Sequence, residues 1–375
     1  MFERPQSTKE NNKNRRRLTF FYYGDWRFRY GVAEVIMSII RKIDSSHFEV
    51  TLVVNGELDE KQKKEIAQYE VFIVELKEKS LKKCFLKWVR FIFKNKPNIV
   101  FSATEHPNIL LSVLRILFLF RYHLIISVHS PLSKRFNNMW GRRSSMYIMS
   151  LVRFSYRFAD KVVCVSDYVA KDTKKYSVSN NIVRIYNPVK INSNPALIDS
   201  HTPGRKLLVV SRLVANKRIE DAIVAVSINQ NVERLDIVGD GPLLTTLKRL
   251  SRKLKIENRV FFHGYVEDPS LFYKAADVVI LSSEWEGFGN IVVEAMSYGC
   301  QVIVNQDSGS PPELLKNGKF GWLYCGGDPN HLSSKIDCCL KAPIPGDKLY
   351  EYATEFSEDR IGKIYSDLIF DVEFD

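Results

Sequence analysis

The sequence predicts an α/β protein built on parallel sheets, and three observations carry that expectation. Short apolar runs rich in β-branched residues, such as Asp277-Val-Val-Ile-Leu281, have the length and composition of strands buried on both faces. Between such runs stand segments whose apolar residues fall at helical spacing; Val32, Val35, Ile36, Ile39, Ile40 and Ile43 form one such stripe. A chain of 375 residues is also long enough for two domains of ordinary size. Its 45% hydrophobic and 26% charged residues fit a soluble protein with full cores.

The net charge is +12, unevenly spread. Residues 1–195 hold 35 Lys and Arg against 17 Asp and Glu, whereas residues 196–375 hold 20 against 26. That division points to an anionic partner for the first half. No RNP1, zinc-finger or KH pattern accompanies the basic excess, which argues against a nucleic-acid-binding protein. The cysteines (Cys84, Cys164, Cys300, Cys325, Cys338, Cys339) show no CxxC spacing, so a reducing compartment without disulfide or zinc is expected. Residues 1–17 are too polar and basic for a signal peptide. The most apolar stretch, Ile109 to Val128, is broken by Arg115, Arg121 and His123 and reads as a helix followed by a strand rather than a membrane span. A cytoplasmic location is the expectation.

In chain order, residues 1–17 read as a disordered basic arm, ending Lys13-Asn14-Arg15-Arg16-Arg17. A first domain is expected over 18–189, with strands at Leu18–Tyr23, Phe48–Val54, Val71–Val74, Asn98–Ser102, Leu124–Val128 and Val162–Val165. Gly31, before the first helix, either lets a phosphate approach the backbone or simply ends the loop. Leu58–Ala67 reads as a charged helix. Over residues 77–96, Leu81, Cys84, Phe85, Trp88, Val89, Ile92 and Phe93 line one helical face, and lysines and arginines fill the rest. Such a helix either packs on its sheet with a solvated basic face or lies on an anionic membrane held by charge. Two strands open on Glu105-His106 and on His129; taken alone, each histidine reads as structural. Residues 131–145, with Lys134, Arg135, Arg142 and Arg143, read as a long mobile basic loop. Ser166 suits a helix N-cap, and residues 190–204, rich in Asn, Ser and Pro, read as a linker.

The second domain is expected over 205–356, with strands at Leu207–Val210, Leu235–Val238, Val260–Gly264, Asp277–Leu281 and Val302–Asn305. Arg212 and Lys217 follow the first of these. Two cations at a strand end suit a diphosphate, since arginine offers a planar fork and lysine a point charge; the alternative is a pair of solvated loop charges. Ser310-Pro-Pro-Glu313 has the layout of a capping box with proline at the first helical position, so Glu313 reads as structural. Ser357–Phe370 reads as a closing helix.

The stretch Glu284–Gly299 carries the strongest chemical signal. Glu286 falls in a loop and Glu294 on the second turn of the following helix, so both can face one ligand. Gly287 and Gly289 allow close backbone approach, and the free N–H groups at the helix start favour an anion. The setting E-G-F-G-N-x-x-x-E-A-M resembles the donor-site signature of retaining, family 4-type glycosyltransferases. Arg212-Leu-x-x-x-Lys217 and the Asn187-Pro188 exit also match, while Gly31-Val-Ala-Glu34 departs from the family's G-G-x-E by placing Val32 where a glycine is usual.

The resemblance implies a GT-B architecture: two doubly wound Rossmann-like domains facing across a cleft, with residues 357–375 crossing back to the first. It implies that Glu286 holds sugar hydroxyls and Glu294 the nucleotide ribose. Arg212, Lys217 and Gly31 would hold the donor diphosphate, and backbone of Gly287, Phe288, Gly289 and Asn290 the donor sugar and phosphate. Gly264 and Tyr265 would meet the base, and His129 the sugar. Glu105, His106, Lys134 and Arg135 are acceptor-side candidates. The implied reaction is transfer of a hexosyl or N-acetylhexosaminyl group, with retention, from a nucleoside-diphosphate donor (UDP favoured) to a lipid-linked or polysaccharide acceptor. The resemblance implies reaction on the donor's front face without an enzyme nucleophile; the charge division and the basic residues of 77–96 add the expectation of work at the inner face of an anionic membrane. No cofactor is implied, and no Asp-x-Asp occurs that would hold a metal. A nucleotide-sugar epimerase of the same architecture is the alternative.

Overall fold

The computed structural model describes residues 15–24, 26, 31–135, 149–193 and 205–372. They fall into two compact units: Met1–Pro188 with Glu358–Asp375, and Val189–Ser357.

The first unit is a seven-stranded sheet in the order β3-β2-β1-β4-β5-β6-β7, parallel throughout. Its strands are β1 (Arg16–Tyr22), β2 (Phe48–Val54), β3 (Phe72–Glu75), β4 (Ile99–Ala103), β5 (His123–Val128), β6 (Lys161–Cys164) and β7 (Ile182–Arg184). All five residues of β4 are buried, as a central parallel strand covered on both faces requires. Successive β1 side chains point to opposite faces. Leu18, Phe20 and Tyr22 join the core formed with the Val32–Ile40 and Glu358–Phe370 helices. Phe21 points the other way, its ring centroid 5.8 Å from those of both Trp88 and Phe91 on the Leu81–Asn95 helix. Among the described residues no helix is long and apolar enough to cross a membrane.

The closing helix is a full member of this unit. Ile361, Tyr365 and Ile369 are buried in its core. Arg41 reaches Glu34 at 2.8 Å, Glu65 at 3.2 Å and Glu358 at 2.6 Å, tying three helices through one guanidinium.

Several expectations need correcting here. The chain is already a strand at Arg16, which pairs with Phe48, so Arg16 and Arg17 are not part of an arm. The Arg16 guanidinium lies 4.7 Å and 5.1 Å from the ring centroids of Phe48 and Phe370, a cation–π setting that a charge run does not reveal in sequence. Residues 1–14 lie outside the described residues. Of the expected basic loop, residues 132–135 are helical with Leu132 buried; 136–148 are not described. The charge division also softens. With the acidic closing helix counted where it packs, the first unit carries +13 and the second −1.

The second unit is a six-stranded parallel sheet in the order β10-β9-β8-β11-β12-β13. Its strands are β8 (Lys206–Val210), β9 (Arg234–Val238), β10 (Val260–Gly264), β11 (Val278–Leu281), β12 (Gln301–Asn305) and β13 (Trp322–Tyr324). Residues 194–204 of the expected linker are not described. Asn192, before them, is buried, and its N–H donates to Ser297 Oγ at 3.3 Å.

Tyr365 is fully buried, so Tyr365→Ala is expected to cost the first unit about 3–5 kcal/mol, as other large-to-small core changes do. Native-state hydrogen exchange checks this: protection should fall in peptides of the first unit and hold in those of β8 to β13. Equal losses in both would show that the closing helix is not specific to the first.

Candidate active site

A doubly wound sheet has a switch point where strand order reverses, and loops leaving the carboxyl ends of the strands there frame a crevice. In the second unit the reversal lies between β8 and β11. The loop after β8 carries Arg212 and ends in a 3₁₀ turn, Ala215–Lys217. The loop after β11 carries Ser282 to Glu286. The two are stitched together: the Glu284 N–H donates to the Asn216 carbonyl at 2.7 Å, and Ser282 Oγ donates to the Lys217 carbonyl at 2.7 Å.

Within this frame Lys217 Nζ lies 2.5 Å from Glu286 Oε1, and both side chains are largely buried, at 19% and 16% exposure. Ser283 Oγ donates to the same carboxylate oxygen at 2.7 Å. The Glu286 backbone is pinned by its N–H to the Ser308 carbonyl at 2.8 Å and by a parallel bridge to Gly309. Asn305, the last residue of β12, donates to the Ser283 carbonyl at 3.0 Å. Arg212 differs from its expected companion: it is exposed, with no side-chain partner among the described residues. One cation is thus committed to an acid, and the other is free to meet a ligand.

The Asn290–Ser297 helix begins at Gly289, whose φ of 96° and ψ of 58° fall in the left-handed region. A Cβ there would lie 3.2 Å from Pro311 Cγ, so both conformation and space favour glycine. No side chain caps this helix. Phe288 is buried, with its ring 6.1 Å from that of Phe356, so its side chain belongs to the core and only its backbone faces the turn. Glu294 Oε2 accepts from the Tyr273 hydroxyl at 2.7 Å, and the Tyr273 ring stacks on Tyr298 at 5.5 Å. Gly264 adopts φ 69° and is followed by the exposed Tyr265.

The expected capping box at Ser310 is absent. The Ser310–Leu314 helix starts one residue earlier than anticipated, with Gly309 at the N-cap and φ 90° there, so Ser310 is already helical. Its Oγ is enclosed without a hydrogen-bond partner, as are Ser211 Oγ and Trp285 Nε1. These groups follow β12, β8 and β11 on the same edge as the Lys217–Glu286 pair. Ser283, Asn305 and Tyr273 were missed in the sequence. Two hydroxyls directly after a buried strand, Ser282-Ser283, were the only available signal.

In the first unit the reversal lies between β1 and β4. Gly31 has φ 94°, which favours glycine, and open space where a Cβ would stand. Thr104, at the end of β4, has φ 86° and ψ 152°, a region populated almost only by glycine and one where strain is usually functional. It delivers Glu105 to the start of the Glu105–Leu117 helix, where Glu105 is 3% exposed and pairs with Arg135 Nε at 2.9 Å. Burial, reinforced by Arg135 and opposed by Glu105, lowers the His106 pKa. His129 Nε2 is enclosed without a partner, and burial, then the Arg135 charge, push its pKa down to about 3. Arg135 therefore gathers Glu105, His106 and His129 into one group. Lys134 is exposed beside it. Among the described residues of either unit, no three His, Cys, Asp or Glu side chains converge as metal ligands.

His129 is expected to stay neutral well below the usual histidine range. The unfolded chain takes up a proton near pH 6.5 and the folded protein only near 3, so acidification between those values removes stability. Long-range ¹H–¹⁵N NMR should show unchanged His129 ring-nitrogen shifts between pH 7 and pH 5; a midpoint near 6.5 would refute the enclosed ring.

Comparisons with known proteins bear on this arrangement. Residues 30–193 match the family described as Glycosyltransferase Family 4, and residues 196–356 match Glycosyl transferases group 1. The chain is 27% identical over 239 residues to the N-acetyl-alpha-D-glucosaminyl L-malate synthase of Bacillus anthracis, covering 60% of this chain and 62% of that one. It covers only 25% to 49% of three further curated relatives. A match at 24% identity spans 85% of this chain and 88% of a Campylobacter jejuni protein. That protein is the N-acetylgalactosamine-N,N'-diacetylbacillosaminyl-diphospho-undecaprenol 4-alpha-N-acetylgalactosaminyltransferase. Among solved structures, HepE of Anabaena in complex with UDP and glucose superposes with a TM-score of 0.77 at 21% identity, covering 95% of this chain and all of that one. Two matched domains on two doubly wound sheets lead to one conclusion: the chain belongs to the GT-B glycosyltransferases of the family 4 type.

Proposed function

We propose that this protein transfers a sugar, with retention, from a UDP-sugar to a hydroxyl of a lipid-linked or polysaccharide acceptor in bacterial glycan biosynthesis. The observation that carries the reading is the largely buried Lys217–Glu286 pair at the β8/β11 switch point, with Arg212 on the same loop exposed and without a side-chain partner among the described residues. A diphosphate arriving there meets Arg212 as a planar fork and draws Lys217 off Glu286. The same movement frees the Glu286 carboxylate, still fixed by Ser283, to accept hydrogen bonds from sugar hydroxyls. Two preorganised cations then stabilise the charge that develops on the departing diphosphate, which is where electrostatic catalysis acts. Glu294, oriented by Tyr273, meets the ribose. His129, kept neutral by burial, is a hydrogen-bonding group rather than a charge.

UDP is favoured as the nucleotide because the Anabaena structure holds UDP and glucose. A lipid-linked acceptor is favoured because the Campylobacter relative acts on a diphospho-undecaprenol glycan. The +13 charge of the first unit suits such an anionic acceptor, and it suits work at the anionic inner face of a membrane rather than on nucleic acid. No metal is assigned to the site, since Arg212 and Lys217 supply the positive charge.

Calorimetry with UDP and turnover with a UDP-sugar separate the roles. Glu286→Gln should leave UDP affinity unchanged or raise it, by releasing Lys217, while lowering turnover. Glu294→Gln should weaken UDP binding itself. Arg212→Ala should cost about 1.5–3 kcal/mol of UDP binding, and Lys217→Ala more, because it also strands Glu286 beside the phosphates. Activity should persist in EDTA. Equal loss of UDP affinity in both glutamate variants, or a strict divalent-cation requirement, would overturn the assignment.

A further inference from the structure

The first unit exposes an apolar corner that its own folding does not call for. The Glu105–Leu117 helix ends in a turn where Leu117 is 66% exposed, Phe118 42% and Leu119 85%. Phe93, 51% exposed, reaches it from the last turn of the Leu81–Asn95 helix. The rings of Phe93, Phe118 and Phe120 touch one another at 4.7 to 5.6 Å, making one contiguous patch. Patches of this kind on a folded protein mark a binding surface.

The backbone of the turn sharpens the point. The Leu119 N–H donates to the Ile116 carbonyl and the Phe120 N–H to the Arg115 carbonyl. Leu119 sits at φ 49°, the left-handed position that ends many helices and where glycine is the favoured residue. A leucine there strains the backbone and leaves its side chain in water. A leucine so exposed is available to something the turn meets.

Charge identifies that something. Arg90, Lys94, Lys96 and Arg121 are exposed around the patch, with no acidic partner among the described residues. From Leu81 to His123 the chain carries eight Lys and Arg and a single acid, Glu105, which is buried against Arg135. A second copy of this chain would bring the same cations against these and be repelled. An anionic bilayer supplies negative headgroups at the depth of the cations and hydrocarbon at the depth of the rings, and long cationic side chains reach back to the headgroups.

We infer that this corner inserts Phe93, Leu117, Phe118 and Leu119 into an anionic bilayer, so that the protein is held by apolar burial as well as by charge. This deepens the proposed function and rests on its membrane part. It also replaces the purely electrostatic mode expected of the Leu81–Asn95 helix. Cys84, Trp88, Phe91 and Ile92 of that helix face the sheet, and Lys87 is occupied by Glu78 and the Leu76 carbonyl.

The test is co-sedimentation of the full chain with vesicles of phosphatidylcholine alone and with phosphatidylglycerol added. Wild type should bind the anionic vesicles tightly and the phosphatidylcholine vesicles weakly, and in high salt its binding to the anionic vesicles should fall to that weaker level rather than vanish, which pure charge would not allow. Phe118→Ser with Leu119→Gly should lower partitioning about tenfold. Leu119→Gly alone should lower binding while its thermal midpoint holds or rises, a split that a structural leucine would not give. Leu119→Cys carrying an environment-sensitive label should report an apolar setting on anionic vesicles. Insertion is overturned, with the membrane reading intact, if the patch variants bind as well as wild type and salt releases everything. No vesicle binding by wild type overturns both, while UDP-sugar turnover on a soluble acceptor decides the transferase reading separately. A wild-type dimer in sedimentation velocity that Phe118→Ser abolishes would assign the patch to self-association and overturn the inference.

Discussion

The reversal of strand order between β8 and β11 is the constraint on which the candidate site depends. Two loops that leave neighbouring strands in opposite directions would drift apart without a bond between them. Here the Ser282 hydroxyl, the Glu284 N–H and the Lys217–Glu286 pair close the gap in three places. A partly buried ion pair contributes little net stability, yet losing one partner is expensive because the other is left charged and poorly solvated. The pair therefore behaves as a held position rather than a strut. It keeps a cation and an acid in fixed places at the edge of the crevice.

The two switch points treat their charges differently. In the second unit Arg212 is exposed and Lys217 is paired with an acid that has its own role. In the first, Glu105 and Arg135 neutralise each other, and His129 and His106 are pushed towards neutrality by burial. One edge therefore keeps an exposed cation, while the other holds its charges paired or suppressed; Thr104, with its glycine-like φ of 86°, lies on the second.

Much of the fold was legible because buried parallel strands are nearly unbroken apolar runs, and β2, β4, β11 and β12 all read that way. Legibility failed where a distant partner decides. Arg16 and Arg17 look like part of a disordered basic run, yet the strand begins there, with Arg16 between Phe48 and Phe370, a residue from the far end of the chain. Ser310-Pro-Pro-Glu313 has the letters of a capping box, but the bridge between Glu286 and Gly309 shifts the helix start by one residue. At the site, Glu286 and Glu294 stood out because their spacing is local. Ser283, Asn305 and Tyr273, which fix them, did not, since nothing in their own surroundings shows which carboxylate or carbonyl they meet. The exposed corner at Leu117–Phe120 was hidden for the same reason: in sequence it merges with the apolar helix before it and the strand after it.

The closing helix has a consequence for how the protein is made. Ile361, Tyr365, Ile369 and Val372 complete a core whose other buried residues are synthesised among the first 190, yet the whole second unit is translated in between. At ordinary elongation rates that interval is on the order of 10–30 s. Throughout it the side of the Val32–Ile40 helix that meets the closing helix stays uncovered, and Arg41 has Glu34 and Glu65 but lacks Glu358. Of the two units, the one that begins to emerge from the ribosome earlier is thus the one finished later, and its exposure to aggregation is set by the time taken to build its neighbour.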